Sequence, residues 1–242
     1  MTTYSDLTKR GGNSIQKMSD PTANGHEQLL ALFRHLPKLK PKTKTLLEVS
    51  RFSHSELACS NILAFFLDPK EDHGLNDLVL KSLLQTVQPA FANYRLQSAK
   101  VLREVRTDSN KSIDLVIVTD SFVVGVENKI YHDVYNPFEE YGKRLKAIAS
   151  EKGIPEENVL KILLSLRPQS GDTFGFQPVT YGKFFSILRQ HLGRSLGDAD
   201  QRWLGFLVDF IMTIENLGGS PMDENFNQFV TTVRLSFVRE RF

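Results

Sequence analysis

The chain has 242 residues, of which 40% are hydrophobic and 24% charged, an ordinary globular composition with enough chain for one sizeable core. Lys+Arg at 30 against Asp+Glu at 28 leave a formal charge of +2, so no global positive field marks a nucleic-acid binder and any such binding must come from a local patch. The single cysteine, Cys59, excludes an intramolecular disulfide and a thiolate metal cluster, and it fits a reducing cytoplasm; no apolar run approaches the roughly 20 residues of a membrane helix.

Residues 1–25 are rich in Ser, Thr, Asn, Gly and Asp without a clean period, and they predict a poorly packed segment that is no signal peptide. A single domain is expected over 26–242. Leu29, Leu30, Phe33 and Leu36 recur at helical spacing, and PKLKPKTK follows as an exposed connection carrying Lys38, Lys40, Lys42 and Lys44. A helix is predicted after SRFSHSE, with Leu57, Ile62, Leu63, Phe65, Phe66 and Leu67 as its apolar stripe. The loop DPKEDHG ends it, with His73 as a turn residue before Gly74, and Asp77 to Val87 carry another helical pattern.

From Lys100 the period changes. VLREV, SIDLVIV and SFVVGVENK are short, rich in Val and Ile, and separated by TDSNK and TD, which suits an antiparallel three-strand meander. Residues 134–152 return to helical spacing through Phe138, Tyr141, Leu145 and Ile148, and VLKILLSL then reads as a buried strand reached by a crossover. Val179 to Tyr181 form a short edge strand, and helical patterns follow near 181–193, 199–216 and 222–239. Within the pattern at 199–216, Trp203, Phe206, Phe210 and Ile214 are expected to be core or partner-helix contacts. The order is that of an α/β fold around a mixed sheet.

Charges stand where the most strand-like segments begin and end. Side chains alternate along a strand, so Glu127 and Lys129 share one face while Val126 and Asn128 share the other. If Asp114 lies on the neighbouring strand, its carboxylate falls beside that of Glu127. Two carboxylates in a mostly apolar sheet are costly unless neutralised, and oxygen donors select hard cations such as Mg²⁺ or Mn²⁺ over zinc. A lysine two residues on can orient a metal-bound water and offset charge on a phosphorane, so the set suits phosphodiester hydrolysis. The structural alternative is a Glu127–Lys129 salt bridge at a sheet edge, with Asp114 capping a turn.

Ile113-Asp114-Leu115 in one strand and Val124-Gly125-Val126-Glu127-Asn128-Lys129 in the next resemble the PD-(D/E)XK nuclease superfamily, whose restriction-endonuclease-like core is αβββαβ. The segment Glu56 to Pro69, followed by His73-Gly74, is similar to the first core helix of a RecB-like prokaryotic branch, and the resemblance covers roughly 45–190, with a helical part over 191–242. It implies that Asp114 and Glu127 hold Mg²⁺ or Mn²⁺, aided by Glu56 and the backbone carbonyl of Asn128, and that Lys129 assists the attacking water. Glu56 has a competing explanation, because Ser53-His54-Ser55-Glu56 fits a capping box. Glu104, Tyr141 and Lys143 are candidate substrate contacts, with Glu104 otherwise a solvated strand-end charge, Tyr141 core, and Lys143, Arg144 and Lys146 a solvated helix face.

One position departs from the relatives. Where they carry a glutamine four residues before the tyrosine, this chain has Pro137 before Tyr141, which reads as a first-turn helix residue capped by Asn136. The leading expectation is a metal-dependent nuclease acting on DNA in the cytoplasm, with RNA and a homodimer left open. The alternative is an inactive nuclease-like fold serving as a nucleic-acid or protein-binding module.

Overall fold

A computed structural model describes residues 43–94, 96, 98–130, 137–169, 171–192 and 199–218, all within the compact unit Thr43–Phe242. The segments expected at 1–42 and the helix expected over 222–239 lie outside the described residues. The helices are α1 (Leu46–Val49), α2 (Glu56–Leu67), α3 (Leu78–Gln85), α4 (Phe138–Glu151), α5 (Tyr181–Leu192) and α6 (Gln201–Gly218). The strands are β1 (Ala99–Arg106), β2 (Ser112–Thr119), β3 (Val123–Lys129), β4 (Val159–Ser165) and β5 (Gln177–Thr180). Their spatial order equals their chain order, with β1, β2 and β3 antiparallel and β3, β4 and β5 parallel.

This is the expected meander followed by a crossover. The two polar connections are too short for anything but antiparallel return, whereas α4 spans the distance a parallel strand requires. The sheet is covered on both faces, which explains why β3 and β4 read as nearly continuous apolar runs. One face packs on α2, α3, α5 and α6 through Leu115, Ile117, Val124, Val126 and Leu164. The other packs on α4 through Val116, Val123 and Leu163 against Phe138, Tyr141, Leu145 and Ile148.

α4 sits close to the sheet because β3 has a glycine beneath it. A Cβ on Gly125 would stand 2.4 Å from Leu145 Cδ1, and Leu145 is itself fully buried. α1 is a short helix that the apolar pattern did not announce. It is held by a capping box between Thr45 and Glu48, and its first N–H donates to Asp209 Oδ2 at 2.7 Å, which ties it to α6.

His73 does occupy a turn, but a buried one. Its Nδ1 accepts the Leu75 N–H at 3.0 Å and its Nε2–H donates to the Asp68 carbonyl at 3.0 Å, so the neutral ring is fully satisfied. Burial accordingly holds its pKa below the ordinary value, against the pull of that carbonyl and of nearby acids. Phe210 and Ile214 are buried, and Trp203 and Phe206 pack beside Phe65 and Phe66, which makes all four core residues as expected. Among the described residues no helix is long and apolar enough to cross a membrane.

Gly125→Ala is expected to destabilise the fold by about 1–3 kcal/mol through overpacking. Denaturant unfolding measures the loss, and adding Leu145→Val, which removes a methylene at the clash, should recover part of it.

Candidate active site

β2 and β3 pair from Val118↔Val123 to Leu115↔Val126, and there the ladder ends. The next partners would be Asp114 and Glu127. Beyond that point β3 continues alongside β4, as far as Lys129↔Ser165, while its other side opens away from β2. Asp114 fills the opening, its Oδ2 accepting the Asn128 N–H at 2.7 Å. A carboxylate thus replaces the missing strand carbonyl, which satisfies a backbone donor that would otherwise be stranded.

The alternation of β1 and β2 also breaks at this level. Leu115 and Ile117 face the large helical layer, but Ile113 and its partner Val105 join the cluster under α4. Opposite the break is Glu104, with φ of 49°, a left-handed conformation for a non-glycine residue inside a strand. Glu104 was expected at the end of its strand. It lies within β1 instead, exposed, and its charge pushes against that of Asp114.

Glu127 and Lys129 share a face, as their spacing predicts, and Lys129 Nζ lies 3.1 Å from Glu127 Oε1. The structural alternative of a salt bridge is therefore present, but on a central strand rather than at a sheet edge. Glu56 reaches the same ammonium from α2, with its Oε2 at 3.6 Å, while its Oε1 accepts the Ile130 N–H at 2.9 Å. The capping box predicted for Glu56 does not form. α2 starts two residues later than that reading requires: Ser55 is the N-cap, its hydroxyl accepting the Ala58 N–H, so Glu56 is the first helical residue and its side chain is directed to β3.

Asn128 points to the opposite face, as expected, and its side chain there does more than its spacing suggested. Its Nδ2 donates to Ser60 Oγ at 3.0 Å and to the Glu56 carbonyl at 3.3 Å, and its Oδ1 accepts the Tyr181 hydroxyl at 2.8 Å. All of this is buried. The carboxamide fastens α2 and α5 to the end of β3. The signal that could have found it is a polar residue at an inward position of an otherwise apolar strand.

The electrostatics follow from burial and charge. Burial raises the pKa of Asp114; the Asn128 N–H and the Lys129 ammonium work against that rise, and Glu56 and Glu104 add to it. Burial acts to lower the pKa of Lys129, but Glu127 and Glu56 outweigh it, so the group lies above its ordinary value and is protonated at neutral pH. Tyr141 is buried on α4, where burial and the charges of Glu127 and Asp114 hold its hydroxyl in the protonated form. Lys143, by contrast, two residues on and on the outer side of the helix, lies exposed and pairs with Glu139 at 2.8 Å. Pro137 is the N-cap position of α4 rather than a first-turn residue, and it makes no side-chain capping bond; Asn136 lies outside the described residues.

Asp114, Glu127, Glu56 and Lys129 are thus assembled at one splayed strand end, from β2, β3 and α2. Among the described residues, no three His, Cys, Asp or Glu side chains stand together as a metal cluster; the Lys129 ammonium contacts Glu56 and Glu127, and the Asn128 N–H donates to Asp114. A model of the PD-(D/E)XK nuclease superfamily matches residues 46–220. No curated protein and no solved structure matches the chain.

Because Asp114 holds its proton more tightly in the fold than in the unfolded chain, stability falls as pH rises through its raised pKa, and the ionised group costs stability above it. Asp114→Asn keeps an acceptor for the Asn128 N–H and removes that charge. Its Tm in EDTA should exceed that of the parent at pH 7 by a few degrees, and the two should converge as pH falls below the ordinary value of 3.8.

Proposed function

The chain belongs to the PD-(D/E)XK nuclease superfamily, and from that premise we propose that it is a divalent-metal-dependent nuclease that hydrolyses phosphodiester bonds of DNA at the splayed end of β2 and β3. The observation that carries the reading is the convergence of Asp114, Glu127, Glu56 and Lys129 there.

The donor set fits a hard cation. Three carboxylates against one ammonium leave a surplus of two formal negative charges when all are ionised, in partly buried surroundings with oxygen donors. Asp114, Glu127 and Glu56 would hold Mg²⁺ or Mn²⁺, with the Asn128 backbone carbonyl beside them. Such an ion supplies Lewis-acid activation of water and neutralisation of phosphate charge.

The chain's own residues set up the rest. Lys129, held protonated by its acidic neighbours, does not act as the base; its ammonium donates hydrogen bonds to the attacking water and stabilises charge developing on the phosphorus-bound oxygens. Glu127 positions that ammonium, and Asn128 fixes the strand carrying both. Tyr141, kept as a neutral hydroxyl, borders the site from α4 without adding negative charge against a polyanionic substrate. The competing reading, a nuclease-like fold retained as a binding module, rests on the engagement of the carboxylates by Lys129 and the Asn128 N–H in place of a ready metal cluster.

Purified protein should cut DNA in Mg²⁺ or Mn²⁺ and stop in EDTA. Glu127→Ala and Lys129→Ala should each lower the cleavage rate by at least about 100-fold. Undiminished cutting by both variants would remove the site assignment, and calorimetry showing no Mn²⁺ heat that Asp114→Asn abolishes would favour the binding module.

A further inference from the structure

The large apolar side chains exposed among the described residues lie on α1 and around the start of α2, with one exception. Phe174 stands apart, half exposed in the loop between β4 and β5. Its backbone has φ of 48°, a region that a bulky side chain rarely enters. Four hydrogen bonds hold it there. Asp172 Oδ1 accepts the Phe174 N–H at 2.9 Å, and the Phe174 carbonyl accepts from Lys161 Nζ at 2.8 Å. The Phe176 N–H donates to the Thr173 carbonyl at 2.9 Å, and the Thr173 hydroxyl donates to the Phe176 carbonyl at 2.6 Å. Such a frame costs conformational strain to keep an aromatic ring facing solvent, which a loop under no other demand would avoid by turning the ring inward.

The ring borders a cavity of about 470 Å³ whose wall carries three lysines against one acid: Lys143 and Lys146 from α4 and Lys161 from β4, with Glu139, Phe138 and Gly142 completing it. Lys143 and Lys146 are exposed and, among the described residues, pair with the exposed carboxylates of Glu139 and Glu156, contacts that an arriving phosphate can exchange at little cost. Gly142 is a buried residue in the interior of α4, where alanine is the better helix former, and a Cβ there would meet Lys161 Nζ at an ordinary 3.7 Å. Packing therefore does not demand the glycine, and its effect is to keep the wall open.

The cavity and the candidate active site share α4, and a row of packed aromatic rings joins the cavity wall to Tyr141. Phe176, anchored in the Phe174 loop, packs 4.7 Å from Phe138 and 6.4 Å from Tyr141, and Tyr141 is the residue that feels the charges of Glu127 and Asp114.

The geometry points to a single-strand platform: an unpaired base stacks on Phe174 while the adjoining phosphates lie against Lys143 and Lys146, which feeds an unpaired strand toward the acids. Stacking on an aromatic face combined with a cationic groove is how single-stranded nucleic acids are held without sequence readout. A base inside a duplex offers no free face to the ring. The inference rests on the nuclease reading for its biological sense, but its binding test is separate from cleavage.

Fluorescence anisotropy in EDTA, where no strand is cut, decides it with three probes: a labelled oligodeoxythymidylate, a labelled oligouridylate and a blunt DNA duplex. Phe174→Ala should weaken one or both single strands about ten-fold and leave the duplex within about twofold, with Phe174→Trp restoring the loss and the thermal midpoint unchanged. The two single-strand arms distinguish a DNA platform from an RNA one. Lys143→Ala/Lys146→Ala should weaken all probes and reduce the salt slope by about 1–2. The platform is refuted if Phe174→Ala binds both single strands as tightly as the parent, or if the duplex weakens equally. Cleavage that survives Glu127→Ala would instead overturn the active-site assignment, whatever the anisotropy shows.

Discussion

The site depends on one buried amide. Asn128 sits at the point where β3 parts from β2, and its N–H and carboxamide are all committed: the backbone N–H to Asp114, the carboxamide nitrogen to Ser60 and the Glu56 carbonyl, and the carboxamide oxygen to Tyr181. A carboxamide out of reach of water is costly unless its donors and its acceptor all find partners. Meeting that demand here requires α2, α5 and β2 to hold particular positions at once. The same requirement delivers Glu56 and Asp114 to Glu127 and Lys129, so the polar interior and the reactive surface are the two faces of one strand end.

The cluster itself is a compromise between folding and chemistry. Burial makes the Asp114 charge expensive, and the lysine offsets only part of the acidic charge gathered around it. A residue chosen for stability alone would be neutral at that position. The fold accommodates the expense because the surrounding strands are almost wholly apolar and closed on both faces, with Val116, Ile117, Val123, Val124, Ile162 and Leu163 all inaccessible to solvent. Gly125 extends that closure by admitting Leu145, which brings Tyr141 within the field of the acids.

Much of this was legible in the chain because it rests on short-range periodicity. The alternation that puts Glu127 and Lys129 together, the two tight connections and the crossover helix are all properties of local sequence, and the structure has each of them. What escaped reading depends on distance along the chain. The partners of Asn128 on α2 and α5 are 68 and 53 residues away, and no spacing rule reports them. Ser53 and Ser55 were equally good caps by type; only the docking of α2 on β3 selects Ser55 and releases Glu56 from capping. Similarly, Glu104 carries no turn-former signature, and its left-handed backbone coincides with the skipped position in the pairing of β1 with β2.

That same kink bears on something other than catalysis. β1 is an outer strand of the sheet, and an outer strand with a straight, regular edge is a template on which a second copy of the chain can add its own strand. Glu104 interrupts the regularity midway, and Arg103, Glu104 and Arg106 project charge along the exposed stretch. The feature that bends the strand beside Asp114 therefore also blunts the outer border of the sheet, because a kinked and charged strand is a poor template for another strand.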